Sequence, residues 1–233
     1  MPRPVIFDLY HTLVPGADDE RDRVVAEMAV IVGVDPTTFV DAYHASWRER
    51  LVRWDVVGTV RVLARRVGGD PTDEQVTRAA ALRRTLARRL LEAVSPATLG
   101  ALDALRGDGH PLALVSNATS ETSAAWPGTA LARRFDAAVF SCDVGLAKPD
   151  PVIYRLAAER LGADPARCVF VGDGADGELA GAAAAGMTVV RTTEHADSDP
   201  AWVGPECAAL GDLHVLLPDI ARSVDEPAVD ARR

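Results

Sequence analysis

Short apolar runs that stop on a polar residue punctuate this chain, and a long stretch of helical periodicity separates the first of them from the rest. Pro4 to Phe7 reads as a strand that ends at Asp8. From about Asp19 to Val94 apolar positions recur at helical spacing, with breaks at Gly33-Val34-Asp35-Pro36, Gly58 and Gly68-Gly69-Asp70-Pro71. No strand pattern interrupts that stretch, which predicts an all-helical insert. Within it the arginine-rich segment Leu82 to Leu91 reads as a helix with a solvated basic face.

After Ser95-Pro96 the pattern alternates. A helix over Thr98 to Arg106 leads to a strand over Pro111 to Val115, which ends at Ser116-Asn117. A helical stretch follows, then a strand over Ala137 to Phe140, a helix over Pro151 to Leu161 and a strand over Cys168 to Val171. A helix over Glu178 to Ala185 and a strand over Thr188 to Val190 complete the series. Such alternation predicts an α/β fold, a parallel sheet with helices on both faces. Residues 1–15 and 96–222 would form this Rossmann-like core and residues 16–95 the helical insert. Residues 223–233 are polar and predicted to fray.

Polar residues at strand ends carry the candidate chemistry. Asp8, Ser116 and Asp173 each follow an apolar run at the carboxyl end of a predicted strand, the edge where open parallel sheets bind ligands. Asp8 and Asp173 would face each other, with Asp176 or Glu178 near. Clustered carboxylates repel unless a proton or cation intervenes, and a hard divalent ion such as Mg²⁺ suits oxygen ligands. Asp176 and Glu178 are equally suited to a helix N-terminus.

Composition sharpens one position. Of 25 Lys+Arg residues only Lys148 is a lysine, and it lies in the loop Gly145 to Pro151, ahead of a helix that Pro151 suits as a first-turn residue. There its compact ammonium can neutralise charge that develops in a transition state. The net charge of −9 argues against a nucleic-acid backbone as partner. Cys142, Cys168 and Cys207 lack metal-ligand spacing and read as core residues of a reduced, cytoplasmic protein. No apolar run reaches membrane-spanning length, and no signal peptide is expected.

Asp8-Leu9-Tyr10-His11-Thr12, Ser116-Asn117, Lys148-Pro149 and Gly172-Asp173 resemble, in order, the four motifs of the haloacid dehalogenase superfamily of hydrolases, and the helical insert resembles its cap. The resemblance implies that Asp8 is a nucleophile that forms a covalent aspartyl intermediate. It places Ser116 and Lys148 on the phosphoryl oxygens, with Thr12 and Asn117 of the same motifs as further substrate-binding candidates. Asp8, the Tyr10 backbone carbonyl and Asp173 would hold Mg²⁺, with Glu178 in support. Most members are phosphatases, and nearly all of those carry an aspartate where Tyr10 stands. That aspartate protonates the leaving group and later activates water.

A phenol has an ordinary pKa near 10, so Tyr10 cannot act as a carboxylate base, although it can donate a proton. Imidazole titrates near neutrality, which makes His11 the candidate to supply the missing acid/base function. The superfamily's 2-haloacid dehalogenases carry a D-x-Y-x-T motif like this one, use no metal and usually lack the acid at the Asp173 position. Ser46 to Leu51 also resembles the dehalogenase segment whose arginine assists halide departure, which maps to Arg48. The expectation is a Mg²⁺-dependent phosphatase acting on a small phosphate ester. A dehalogenase-like hydrolase is the alternative, and a catalytically degenerate binding protein a third possibility. The oligomeric state is not predicted.

Overall fold

The computed structural model describes residues 2–225. Strand β1 (Val5–Phe7) is three fully buried apolar residues. Five helices follow with no strand between them: α1 (Asp18–Val32), α2 (Pro36–Ala45), α3 (Trp47–Val52), α4 (Val56–Arg66) and α5 (Asp73–Glu92). Their starts are encoded locally. Asp35 accepts from the Thr38 amide at 2.8 Å just ahead of Pro36, and Thr72 and Gln75 form a reciprocal capping box on α5. Gly33 closes α1 at φ +75°, a conformation that favours glycine. Gly58 is not the break its residue type suggests: it sits in the first turn of α4, where its amide donates to the capping carboxylate of Asp55 at 2.7 Å. Val25, Met28, Phe39, Val60, Leu63, Val76 and Ala80 of these helices bury against one another in a cluster of their own.

Beyond α6 (Pro96–Gly107) come β2 (Leu112–Ser116), α7 (Ser120–Ala125), β3 (Ala137–Phe140), α8 (Ser141–Val144), α9 (Pro151–Arg160), β4 (Val169–Gly172), α10 (Glu178–Ala184), β5 (Thr188–Thr192), β6 (Glu206–Cys207) and α11 (Leu213–Asp225). The strands form one parallel sheet of order β3-β2-β1-β4-β5-β6. Residues 223–225, expected in the tail, belong to α11, and residues 226–233 lie outside the described residues.

Strand β1 shows how the sheet is stabilised. Val5 and Phe7 point to one face and join Leu102, Leu114, Val171 and Leu213, whereas Ile6 points to the other and joins Ile153, Tyr154 and Phe170. Both faces of the sheet are thus covered, which is why its central strands are continuous apolar runs. Register then fixes the functional edge. Phe7 lies beside Leu114 on one side and Val171 on the other, so the residues that follow all three strands emerge together at the carboxyl edge. No helix among the described residues is long and apolar enough to cross a membrane.

Candidate active site

Asp8 leaves β1 with its amide bonded to the Val171 carbonyl at 3.0 Å, and the residue is 6% exposed. The buried Lys148 ammonium donates to Oδ1 of Asp8 and to Oε2 of Glu178. Three neighbours fix this lysine. Asn117 donates through Nδ2 to the Lys148 carbonyl at 3.0 Å and accepts from the Lys148 amide at 2.8 Å. Gly181 of α10 lies so close to Pro149 that any Cβ there would strike the Pro149 carbonyl oxygen. Glu178 is itself held, since Oε1 accepts from the Gly174 amide at 3.1 Å and its main-chain carbonyl accepts from the Tyr154 hydroxyl at 2.8 Å. Gly172 leaves the room that this carboxylate occupies, because a Cβ would lie 2.8 Å from its Cδ.

Asp173 follows β4 and is fully buried. It accepts from the Ser198 hydroxyl, and its carbonyl accepts from the Ser198 amide at 3.1 Å. Ser198 belongs to the loop after β5, which Arg191 secures through Asp197 and the Asp199 carbonyl, both at 2.7 Å.

Among the described residues Asp8, Asp173 and Glu178 form a buried group whose carboxylate oxygens lie within 4.8 Å of one another. The Lys148 ammonium pairs with two of these three carboxylates, Asp8 and Glu178, and Asp173 is held by Ser198. Burial pushes the Glu178 carboxyl up to about 8 against the pull of Lys148, and the charges of Asp8 and Asp173 add to the rise. Burial likewise raises the Asp8 carboxyl, with Asp173 adding to it. The Lys148 ammonium is also raised, for a different reason: burial opposes its charge, but Asp8 and Glu178 outweigh burial and hold it firmly protonated. A surplus of buried negative charge with only oxygen donors fits a hard divalent cation. All three carboxylates already accept hydrogen bonds: Glu178 from Lys148 and the Gly174 amide, Asp173 from Ser198 and the Ala175 amide, and Asp8 from Lys148 through Oδ1.

A cavity of about 460 Å³ opens over these groups and is lined by Asp8, Ser116, Asn117, Lys148 and Glu178 from the sheet edge. The helical insert supplies Arg21, Tyr43, Trp47, Arg50 and Arg83. Ser116 is the last residue of β2, and its buried Oγ has no hydrogen-bond partner, which leaves it free for a ligand oxygen.

Tyr10 lines the same cavity, but its hydroxyl is occupied by a neighbour. Its hydroxyl lies 2.9 Å from Thr122 Oγ1 and its ring lies under the Arg21 guanidinium, 4.0 Å from the centroid. Burial raises its pKa, so the phenol stays protonated at neutral pH. His11 adopts φ +63° and lines the cavity with Nε2 3.2 Å from the Asp18 carboxylate. Gly16 makes room for its ring, since a Cβ there would collide with the imidazole.

Residues 3–186 match the family model of haloacid dehalogenase-like hydrolases. The chain belongs to this family. Among its relatives, (S)-2-haloacid dehalogenase 4A of Burkholderia cepacia is 28% identical over 97% of this chain and 98% of its own. Glyceraldehyde 3-phosphate phosphatase of Methanopyrus kandleri is 28% identical over 82% of this chain and 84% of its own. Two solved structures share the fold. A 2-haloacid dehalogenase from Pseudomonas syringae superposes with TM-score 0.69 at 23% identity, covering 94% of this chain and 100% of its own. A phosphatase from Thermococcus onnurineus gives TM-score 0.68 at 21% identity, covering 92% and 97%.

For a haloacid dehalogenase-like hydrolase, most of the expected site residues come together: Asp8, Tyr10, His11, Ser116, Asn117, Lys148 and Glu178 line one cavity, with Asp173 buried beside Asp8 and Glu178. Two expectations need correction. Arg48 is exposed and outside the cavity, and Arg50 takes its place. Residues two apart on a helix point to nearly opposite sides, and Ser46 and the Tyr43 carbonyl capture the Arg50 guanidinium at 3.2 and 3.1 Å. The face of Leu82 to Leu91 is not wholly solvated either, since Arg83 is buried and bonded to Glu121. This arginine falls on the buried stripe of α5 with Ala79, Ala80, Leu86 and Ala87, a phase that the surrounding basic run masks. Thr12 is fully buried with no partner for Oγ1, and it does not line the cavity. Arg21 and Tyr43 had no local signal that set them apart from neighbouring helical residues.

Proposed function

We propose that this chain is a Mg²⁺-dependent phosphohydrolase of small phosphate monoesters, with Asp8 as nucleophile. The observation that carries the reading is the buried group of Asp8, Asp173 and Glu178, two of which pair with one lysine. As the motif resemblance implies, 2-haloacid dehalogenases of the superfamily usually lack the acid at the Asp173 position. Mg²⁺ held by Asp8, Asp173 and the Tyr10 carbonyl would neutralise charge on the phosphoryl oxygens.

The protein groups account for the rest. A carboxylate oxygen of Asp8 attacks phosphorus, and the bond to the ester oxygen breaks with its electron pair. Lys148 and the free Ser116 hydroxyl stabilise the equatorial oxygens. Water then attacks phosphorus, the bond to the Asp8 oxygen breaks, and phosphate leaves with the carboxylate restored. Tyr10 is turned toward Thr122, so proton transfer to the departing oxygen, and later from the water, falls to His11 with Asp18 orienting its ring. The substrate is a small molecule, in keeping with a cavity at the lower end of the usual ligand range. Three free cysteines support a reducing compartment such as the cytoplasm.

A second reading has its own observation. Tyr10 puts a phenol where a phosphatase carries a carboxylate, and halide departure needs no proton, so a metal-independent dehalogenase would not miss that group. A panel of phosphate monoesters and 2-haloacids, each with Mg²⁺ and with chelator, separates the two. The proposal expects phosphate release that requires Mg²⁺. Chelator-insensitive halide release without phosphate release would replace it with dehalogenation. No turnover on either set by a folded protein would leave a binding role.

A further inference from the structure

The helical side of the cavity is cationic in a way that the hydrolytic step does not use. Arg50 is only 4% exposed. Its Nε donates to Ser46 Oγ and one Nη to the Tyr43 carbonyl, and its guanidinium lies 3.6 Å from the Tyr43 ring centroid and 5.0 Å from that of Trp47. No carboxylate pairs with it among the described residues. Arg83 is 7% exposed and lies 5.6 Å from the same Tyr43 ring. Nε and Nη2 face Glu121 at 3.0 Å, but its Nη1 is buried with no partner. Arg21 adds a third guanidinium on the cavity wall, with a buried and unpartnered Nε.

The acids on this side are engaged elsewhere, Glu121 by Arg83 at 3.0 Å, and none pairs with Arg50. Asp22 pairs with His44 at 2.7 Å, and Asp18 faces His11 at 3.2 Å and Arg21 at 3.8 Å. Burial holds the Arg50 guanidinium below its ordinary value, and the positive charges of Arg83 and Arg21 push in the same direction. Buried charges are normally paired, yet both hydrogen-bond acceptors of Arg50, Ser46 Oγ and the Tyr43 carbonyl, are neutral. An anion in the cavity supplies what the protein lacks.

We infer that Arg50 and Arg83, with Arg21 beside them, receive a second anionic group on the substrate, a carboxylate or a second phosphate. This rests on the phosphohydrolase reading for which end of the substrate reacts. The substrate is then a small phosphate ester charged at both ends: one phosphoryl group meets Asp8, Ser116 and Lys148, and the other anion meets the arginines. Planar guanidinium forks suit either oxyanion.

Three esters of matched length test this with Mg²⁺ present: a phosphorylated hydroxy acid, a diol bisphosphate and an uncharged alkyl phosphate. Wild type is expected to favour at least one charged ester by about 100-fold in kcat/KM, and which one it favours identifies the anion. In Arg50→Gln that ratio falls toward one, as it does in Arg83→Gln combined with Glu121→Gln, which leaves no orphaned charge. An equal rate on all three esters by wild type, or a ratio unchanged in both variants, overturns the inference. A binding measurement keeps the two proposals separable should no ester be hydrolysed. Calorimetry of malonate with Asp8→Asn is expected to show binding weakened at least about tenfold by Arg50→Gln. Absent binding, or equal binding by both proteins, refutes the anion site whatever the activity.

Discussion

Glu121→Ala probes how the arginine-lined wall is held. The Glu121 side chain is buried and faces the buried Arg83 guanidinium at 3.0 Å, joining α7 to α5. Truncation leaves a buried guanidinium without its anion, and breaking a buried pair from one side costs about 3–5 kcal/mol. In a chain of this length each 1 kcal/mol moves the melting midpoint by about 2–4 °C, so the variant should melt roughly 6–20 °C lower. The double variant Arg83→Met with Glu121→Leu removes both charges and should recover most of the loss, because a buried pair is often no more stabilising than apolar residues of similar volume. Thermal melts followed by circular dichroism, repeated by calorimetry to check that unfolding is a single transition, give the comparison. A midpoint within about 2 °C of wild type for Glu121→Ala, or a double variant as unstable as the single one, would refute the role assigned to the pair.

Other consequences are equally checkable. Gly181→Ala forces a methyl group into the Pro149 backbone and should destabilise the protein by about 1–3 kcal/mol. It should also lower turnover by displacing Lys148, and unchanged melting would count against the packing described. Tyr10→Phe loses one hydrogen bond to Thr122, worth about 0.5–1.5 kcal/mol, and should reduce turnover only a few-fold. His11→Ala should lose about 10²–10⁴-fold, and the opposite ranking in steady-state rates would make the phenol the acid. Burial pushes the thiols of Cys168 and Cys207 up to about 11 and, with Asp143, that of Cys142 to about 12. Ellman's reagent at pH 8 should therefore react slowly with native protein and rapidly in denaturant, and fast native labelling would contradict that burial.

The sheet was legible where burial on both faces leaves an unbroken apolar run. Val5–Phe7 and Val169–Gly172 are central strands, and the polar residues that end them stand out for that reason. Strand β6 was not legible: Glu206 and Cys207 are too few to show a period. Helix α11 carries Pro218, which reads locally as a break. In the site, strand-end residues such as Asp8 and Asp173 were found from position alone. The phase of a six-residue helix is not encoded in its own sequence, so Arg48 and Arg50 could be distinguished only by where Tyr43 and Ser46 sit. Ser198 reaches Asp173 from 25 residues away on an irregular loop, a contact with no periodic signature. Arg83 was concealed differently, because a basic run reads as solvated even when one of its members falls on the buried stripe.

The central claim is that Asp8 carries the phosphoryl group during turnover. Enzyme quenched in acid while it hydrolyses a phosphate ester with Mg²⁺ present can be digested and its peptides analysed by mass spectrometry. The account predicts an alkali- and hydroxylamine-labile phosphoryl group on the peptide that contains Asp8, absent from Asp8→Asn. Sustained phosphate release with label on another residue, or undiminished release by Asp8→Asn, would contradict it.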